Sequence, residues 1–158
     1  MRVLGIDPGF DRLGLAVLEG DPSRPIHIWS DCIIPPKGTA DARLAVVHAT
    51  VVEAILTYAP DLVALETLFF STNKKTAFGV AEARGAVLSA AGEAKVRVSE
   101  HSPGTVKLAV TGNGRADKKA IARMVPKLVN LPPKKRFDDE LDAIAIAICA
   151  LSTQRPAR

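Results

Sequence analysis

Arg2-Val3-Leu4-Gly5-Ile6-Asp7, turned by Pro8-Gly9, is apolar almost throughout and ends in a carboxylate. Strand alternation puts Arg2, Leu4 and Ile6 on one face and Val3, Gly5 and Asp7 on the other. Both faces are mostly apolar, as expected of a strand inside a sheet rather than at its edge. Gly5 carries no side chain, so another element can approach that face closely. A charged Asp at the end of such a strand needs a partner, a hydrogen bond or a metal. An Asp-Pro-Gly turn in which Asp7 bonds its own backbone is the simplest local explanation. Asp7 does more than that only if other carboxylates converge on it.

Working outward, Leu13–Leu18 forms a second apolar strand, and the short connection makes a hairpin with the first. Turn formers at 20–25 lead to a third strand over 26–34, ended by Pro35-Pro36. Leu44, Val47, Val51, Ile55 and Tyr58 recur at helical spacing over Ala40–Tyr58. Asp61–Glu66 is a fourth strand, apolar on both faces. A strand following a helix of this length implies a crossover and parallel pairing beside the first strand. A loop at 67–75, a helix over 76–91, a short strand at 95–99, a helical turn at 106–110, a helix over 117–129 with a break near Pro126, and a last helix over 138–151 complete the chain. The expected fold is α/β: a five-stranded mixed sheet, three strands in an antiparallel meander and the rest parallel, flanked by helices. The chain of 158 residues suggests a single domain over 1–152 and a loose tail over 153–158.

Composition narrows the function. No apolar run approaches the roughly 20 residues that span a membrane, and the N-terminus opens on a strand without a signal-peptide pattern. Cys32 and Cys149 lie in apolar segments, as buried free thiols of a reducing cytoplasm would. None of the three histidines is near a cysteine, which argues against zinc. The net charge of +4 hides segregation: residues 1–69 carry five Lys/Arg against nine Asp/Glu, residues 70–136 fourteen against four, and residues 137–158 two against four. A carboxylate site beside a cationic surface points to a polyanion, nucleic acid above all.

Glu66 repeats the pattern of Asp7 at the end of the fourth strand, so both acids fall at the carboxyl ends of adjacent strands. Asp139 and Asp142 open an almost wholly apolar helix, three residues apart and so on one face. A helix cap accounts for one or two acids, not for Asp138, Asp139, Glu140 and Asp142 together. Four carboxylates brought to one point repel unless a cation joins them. Hard oxygen donors suit magnesium or manganese, and two such ions about 4 Å apart promote in-line attack on a phosphodiester. No nucleophilic Ser or Cys motif and no Walker loop compete with that reading. Phe69 and Phe70 follow Glu66 in a loop leading to Asn73, Lys74 and Lys75; one of the two is expected to plug the core and the other to stack on or wedge between bases. Lys107, Arg115, Lys118, Lys119, Arg123 and Lys127 supply phosphate contacts if they share a face.

Gly-Ile-Asp-Pro-Gly at 5–9 with Gly14, Glu66 with Phe69, Asn73, Ala83-Arg84-Gly85, Val110–Lys118 and Asp139-Glu140-Leu141-Asp142-Ala143 together resemble the RuvC family, the bacterial crossover-junction (Holliday-junction) endodeoxyribonucleases. The similarity covers nearly the whole chain. It implies a ribonuclease-H-like fold and a homodimer on four-way junction DNA that makes paired nicks with two Mg²⁺ or Mn²⁺ ions per subunit. It also implies partnership with the branch-migration helicase complex (RuvA, RuvB) in recombination and repair. By motif match the metal ligands are Asp7, Glu66, Asp139 and Asp142. The DNA-binding set is Phe69, Asn73, Lys74, Lys75, Arg84, Lys107, Arg115, Lys118 and Lys119. Val80-Ala81-Glu82 and Pro103-Gly104-Thr105 depart from the family pattern. The actin and hexokinase ATPases share the Asp-Gly strand-turn-strand but need a second domain. Short nuclease-like relatives that act on ribosomal RNA share acids like Asp7 and Asp142, but the Phe69 loop and the basic middle argue for junction DNA.

Overall fold

The computed structural model describes residues 1–68 and 74–153, with Lys74 and Lys75 known by their backbone alone. Its elements are β1 (Arg2–Pro8), β2 (Leu13–Asp21), β3 (Arg24–Ile33), α1 (Ala40–Tyr58), β4 (Leu62–Glu66), α2 (Lys74–Glu93), β5 (Arg97–His101), α3 (Pro103–Thr111), α4 (Lys118–Leu128) and α5 (Asp138–Thr153). The sheet order is β3-β2-β1-β4-β5. β1 pairs antiparallel with β2 and parallel with β4, and β4 pairs parallel with β5. The meander and the parallel neighbour expected from sequence are both present.

Alternation along the strands separates two cores. Leu4 and Ile6 of β1 and Val63 and Leu65 of β4 pack with α1 and α2. Val3, Leu62 and Ala64, on the opposite face, pack against α3, α4 and α5. Asp7 and Glu66 continue this second set, so both acids lie on the α5 side of the sheet.

Two glycines let α5 sit directly on the strands. A Cβ on Gly5 would lie 2.8 Å from the Ala147 nitrogen and would meet the Ala143 carbonyl as well. A Cβ on Gly14 would collide with the Asp139 carbonyl. Gly14 is the register partner of Asp7, so the first turn of α5 is seated against the strand next to Asp7.

Three local readings change. Residues 103–111 form a nine-residue helix rather than a single turn. Ser102 caps it by accepting from the Thr105 N–H at 3.1 Å, and Pro103 occupies the first helical position, where its missing N–H costs nothing. Pro103-Gly104-Thr105 is therefore a helix start. α4 continues through Pro126 to Leu128. α5 extends through Thr153, whose hydroxyl donates to the Cys149 carbonyl at 2.8 Å, so this residue belongs to the helix and not to the expected tail. Residues 154–158 lie outside the described residues.

Candidate active site

Asp7 and Glu66 follow the paired residues Ile6 and Leu65 at the same end of two parallel strands. Gly5 and Gly14 bring the first turn of α5, with Asp139 and Asp142, over that end. The four carboxylates act on one another electrostatically. Burial, then the charges of Asp142, Asp139 and Glu66, push Asp7 from 3.8 up to about 7, against a smaller opposing pull from Lys118. Burial and Asp142 also raise Glu66, with Lys107 and Lys118 opposing. Asp142 is raised by burial and held back by Lys118.

Two cations already answer part of this charge. Lys118 Nζ lies 3.3 Å from Asp142 Oδ2, and Arg12 Nη1 lies 3.5 Å from Asp139 Oδ2. Among the described residues no three acidic, imidazole or thiol side chains are closed into a metal-ligating cluster. Repulsion and these two ion pairs account for the open arrangement. The donor set nevertheless fits a divalent ion: four hard carboxylates, three of them driven towards their protonated forms, with a lysine ammonium occupying cationic space among them. A cleft of about 180 Å³ opens beside Asp7 and Glu66, walled by Val80, Arg84 and Pro103.

Glu140, between the two helix acids, has a different role. It is 2 % exposed. It accepts from Ser30 Oγ at 2.6 Å and from Arg136 Nε at 3.1 Å, and Lys134 Nζ is 3.0 Å away. Ser30 gives its only proton to Glu140, so His27 Nε2, 2.8 Å from Ser30 Oγ, is the donor of that pair. This buried network ties the start of α5 to β3 and to the segment before the helix.

Arg84 sits apart from the exposed basic residues. Placed by sequence among the DNA contacts, it is 9 % exposed. Its guanidinium points inward, donating to the Glu66 carbonyl at 2.8 Å and pairing with Glu100. It braces the end of β4, because a buried guanidinium must satisfy its donors within the protein. Lys107, on α3, is near enough to Glu66 to lower its pKa. Arg115 and Lys119 are exposed, and Lys118 shares the carboxylate centre rather than standing apart from it. Phe69 and Asn73 lie outside the described residues, as do the side chains of Lys74 and Lys75.

The family model for crossover junction endodeoxyribonuclease RuvC matches residues 3–150. The chain belongs to the RuvC family. The RuvC of Thermotoga petrophila is 38% identical over 159 residues, covering 100% of this chain and 96% of the relative. That of Moorella thermoacetica is 42% identical over 153 residues, 96% of this chain and 92% of the relative. The solved structure of Thermus thermophilus RuvC in complex with a Holliday junction substrate superposes with a TM-score of 0.87 at 36% identity, covering 94% of this chain and 92% of the other. Family membership makes the chain a metal-dependent endonuclease of crossover junctions.

Sequence reasoning left the roles of three residues at this RuvC site unassigned. Gly14 stands in the family motif, but its role, seating the α5 backbone beside Asp7, shows only through its strand pairing. Glu140 looks like one more ligand until its partner Ser30, 110 residues away, is in place. Arg12 lies in the acidic part of the chain, where charge counting passes over it.

Proposed function

We infer that this chain resolves four-way DNA junctions by paired hydrolytic nicks in recombination and repair, with Asp7, Glu66, Asp139 and Asp142 holding two Mg²⁺ or Mn²⁺ ions per subunit. The observation that carries the reading is the mutual electrostatic loading of carboxylates from β1, β4 and α5 at one end of the sheet, which lifts Asp7 to about 7. Bound ions supply charge neutralisation on the phosphodiester and acidify water for attack. Asp7, whose charge the other three acids all oppose, would be one of the residues that hold the ions. Lys118 stays protonated, because Asp142 raises its pKa, so it acts as a countercharge and not as a base. Arg84 and the Glu140 network hold the end of β4 and the start of α5 while DNA binds.

Lys107, Arg115, Lys118 and Lys119 are the proposed phosphate contacts of the described surface, with Lys74 and Lys75 beside them. Phe69 is proposed to stack on the bases at the junction, as the family resemblance implies, and Asn73 to join the DNA contacts. A homodimer fits the outer face of α2, where Phe78 is 74% exposed and a Cβ at Gly85 or Gly92 would meet nothing. The branch-migration helicase complex (RuvA, RuvB) and a cytoplasmic setting complete the proposal. Among the described residues no helix is long and apolar enough to cross a membrane.

Cleavage of a four-way junction and of a linear duplex, each with and without Mg²⁺ or Mn²⁺, tests this reading. Metal-dependent cutting of the junction alone supports it. Equal cutting of both substrates, or cutting in chelator, contradicts it.

A further inference from the structure

Arg12 lies on the turn between β1 and β2, at the edge of the carboxylate centre. Its guanidinium carbon is 4.7 Å from the centroid of the Phe137 ring, so the cation lies over an aromatic face. Its nearest acid, Asp139, is 3.5 Å away, beyond hydrogen-bonding range. Among the described residues the Arg12 side chain has no hydrogen bond. The Arg12 side chain is 49% exposed and Phe137 is 44% exposed. The pair thus leaves a large apolar ring in water and an unspent fork of N–H donors. A guanidinium lying on a ring keeps its fork free for bidentate recognition of a phosphate.

Position adds to this. Asp139 and Asp142 are one helical turn apart; Arg12 stands by the first and Lys118 by the second. A phosphodiester approaching four acids is repelled unless cations stand along its path. Lys118 stands by Asp142 and Arg12 by Asp139. On the Arg12 side a cleft of about 370 Å³ lies between the Gly9–Arg12 turn, Thr76, Gly79 and Val80 of α2, and Asp139. That is within the size range of small-ligand pockets.

We propose that Arg12, held over the Phe137 ring, is a phosphate-binding subsite for the DNA strand that crosses the carboxylate centre, beside Asp139. It rests on the nuclease reading above and extends it to residues outside the acidic motifs. Phe137 positions the guanidinium, and Arg12 touches the backbone.

The test is junction affinity, read by fluorescence anisotropy over a salt series on the Asp7→Asn background, where cutting does not interfere. Arg12→Ala is expected to bind roughly 10-fold more weakly, with the salt slope reduced by about one. Arg12→Lys, which keeps the charge without the planar fork, and Phe137→Ala, which keeps the fork without its support, are each expected to lose at least about threefold. Parental binding by Arg12→Lys and Phe137→Ala overturns the proposal, since Arg12 then acts only as a charge near Asp139. Parental binding by Arg12→Ala overturns it outright. Thermal unfolding of each variant confirms the fold, and Arg12→Lys is the most conservative of the set. A parent that binds four-way and linear DNA alike refutes junction selectivity instead, and the Arg12 comparison is then scored on linear DNA.

Discussion

Gly14 and Asp139 meet backbone to backbone: no side chain fits between the strand and the carbonyl that opens α5. Because Gly14 is paired with Asp7, this contact sets the distance between the acid of β1 and the acids of the helix. Gly14→Ala cannot be relieved by turning a side chain, so α5 must shift. Overpacking of this kind costs about 1–3 kcal/mol. Cleavage should fall at least tenfold while junction binding stays within a few-fold, as kinetics and anisotropy on the same preparation would show.

The Glu140 network makes a second prediction. Glu140→Ala leaves Lys134 and Arg136 without their buried partner. Breaking a buried ion pair from one side costs about 3–5 kcal/mol, which is roughly 10 °C in midpoint for a chain of this size. Glu140→Gln keeps an acceptor for Ser30 and should lose less. Thermal unfolding of both variants checks the order. Cleavage should fall with stability, because the start of α5, which the Glu140 network holds, carries Asp139 and, one turn on, Asp142.

The acidic centre gives the chain a distinctive pH response. Asp7 has a folded pKa of about 7, above its ordinary 3.8. The fold favours its protonated form. This contribution is fully present below about pH 4, is lost as pH rises towards 7, and is constant above. Glu66 and Asp142 shift in the same direction. In chelator, Asp7→Asn should therefore melt higher than the wild type at pH 7.5, by roughly 5 °C for a gain of about 2 kcal/mol. The difference should shrink at pH 5. Mn²⁺ should stabilise the wild type much more at pH 7.5 than at pH 5.5, since protons and metal compete for the same carboxylates. Melting curves at the two pH values, with and without Mn²⁺, measure all of this.

Lys118 permits a sharper distinction. Its ammonium is 3.3 Å from Asp142 and its pKa is raised. Lys118→Met should slow cleavage without moving the alkaline limb of the pH profile. A limb that shifts or vanishes in the variant would assign Lys118 a proton-transfer role.

Much of this was open to sequence reasoning because burial and charge conflict so visibly. Asp7 and Glu66 lie at the ends of strands that are apolar on both faces, and Asp142 directly precedes an apolar run from Ala143 to Leu151. Gly5 announced a close approach and met Ala143 and Ala147. The residues whose contacts could not be read in advance are those fixed by a distant partner. Arg84 turns inward because the Glu66 carbonyl and Glu100 await it. Glu140 is structural because Ser30 of β3 reaches it. Pro103-Gly104-Thr105 stands outside the family pattern and before the expected helical turn, yet Ser102 and Pro103 are a cap and a first helical residue.

The most direct measurement compares wild type and Asp7→Asn on a labelled four-way junction in Mg²⁺, following binding and strand cleavage together. The variant should bind the junction as tightly as the wild type and leave its strands intact, while the wild type nicks two of them. An Asp7→Asn protein that cuts the junction at the wild-type rate would contradict the carboxylate centre on which the account depends.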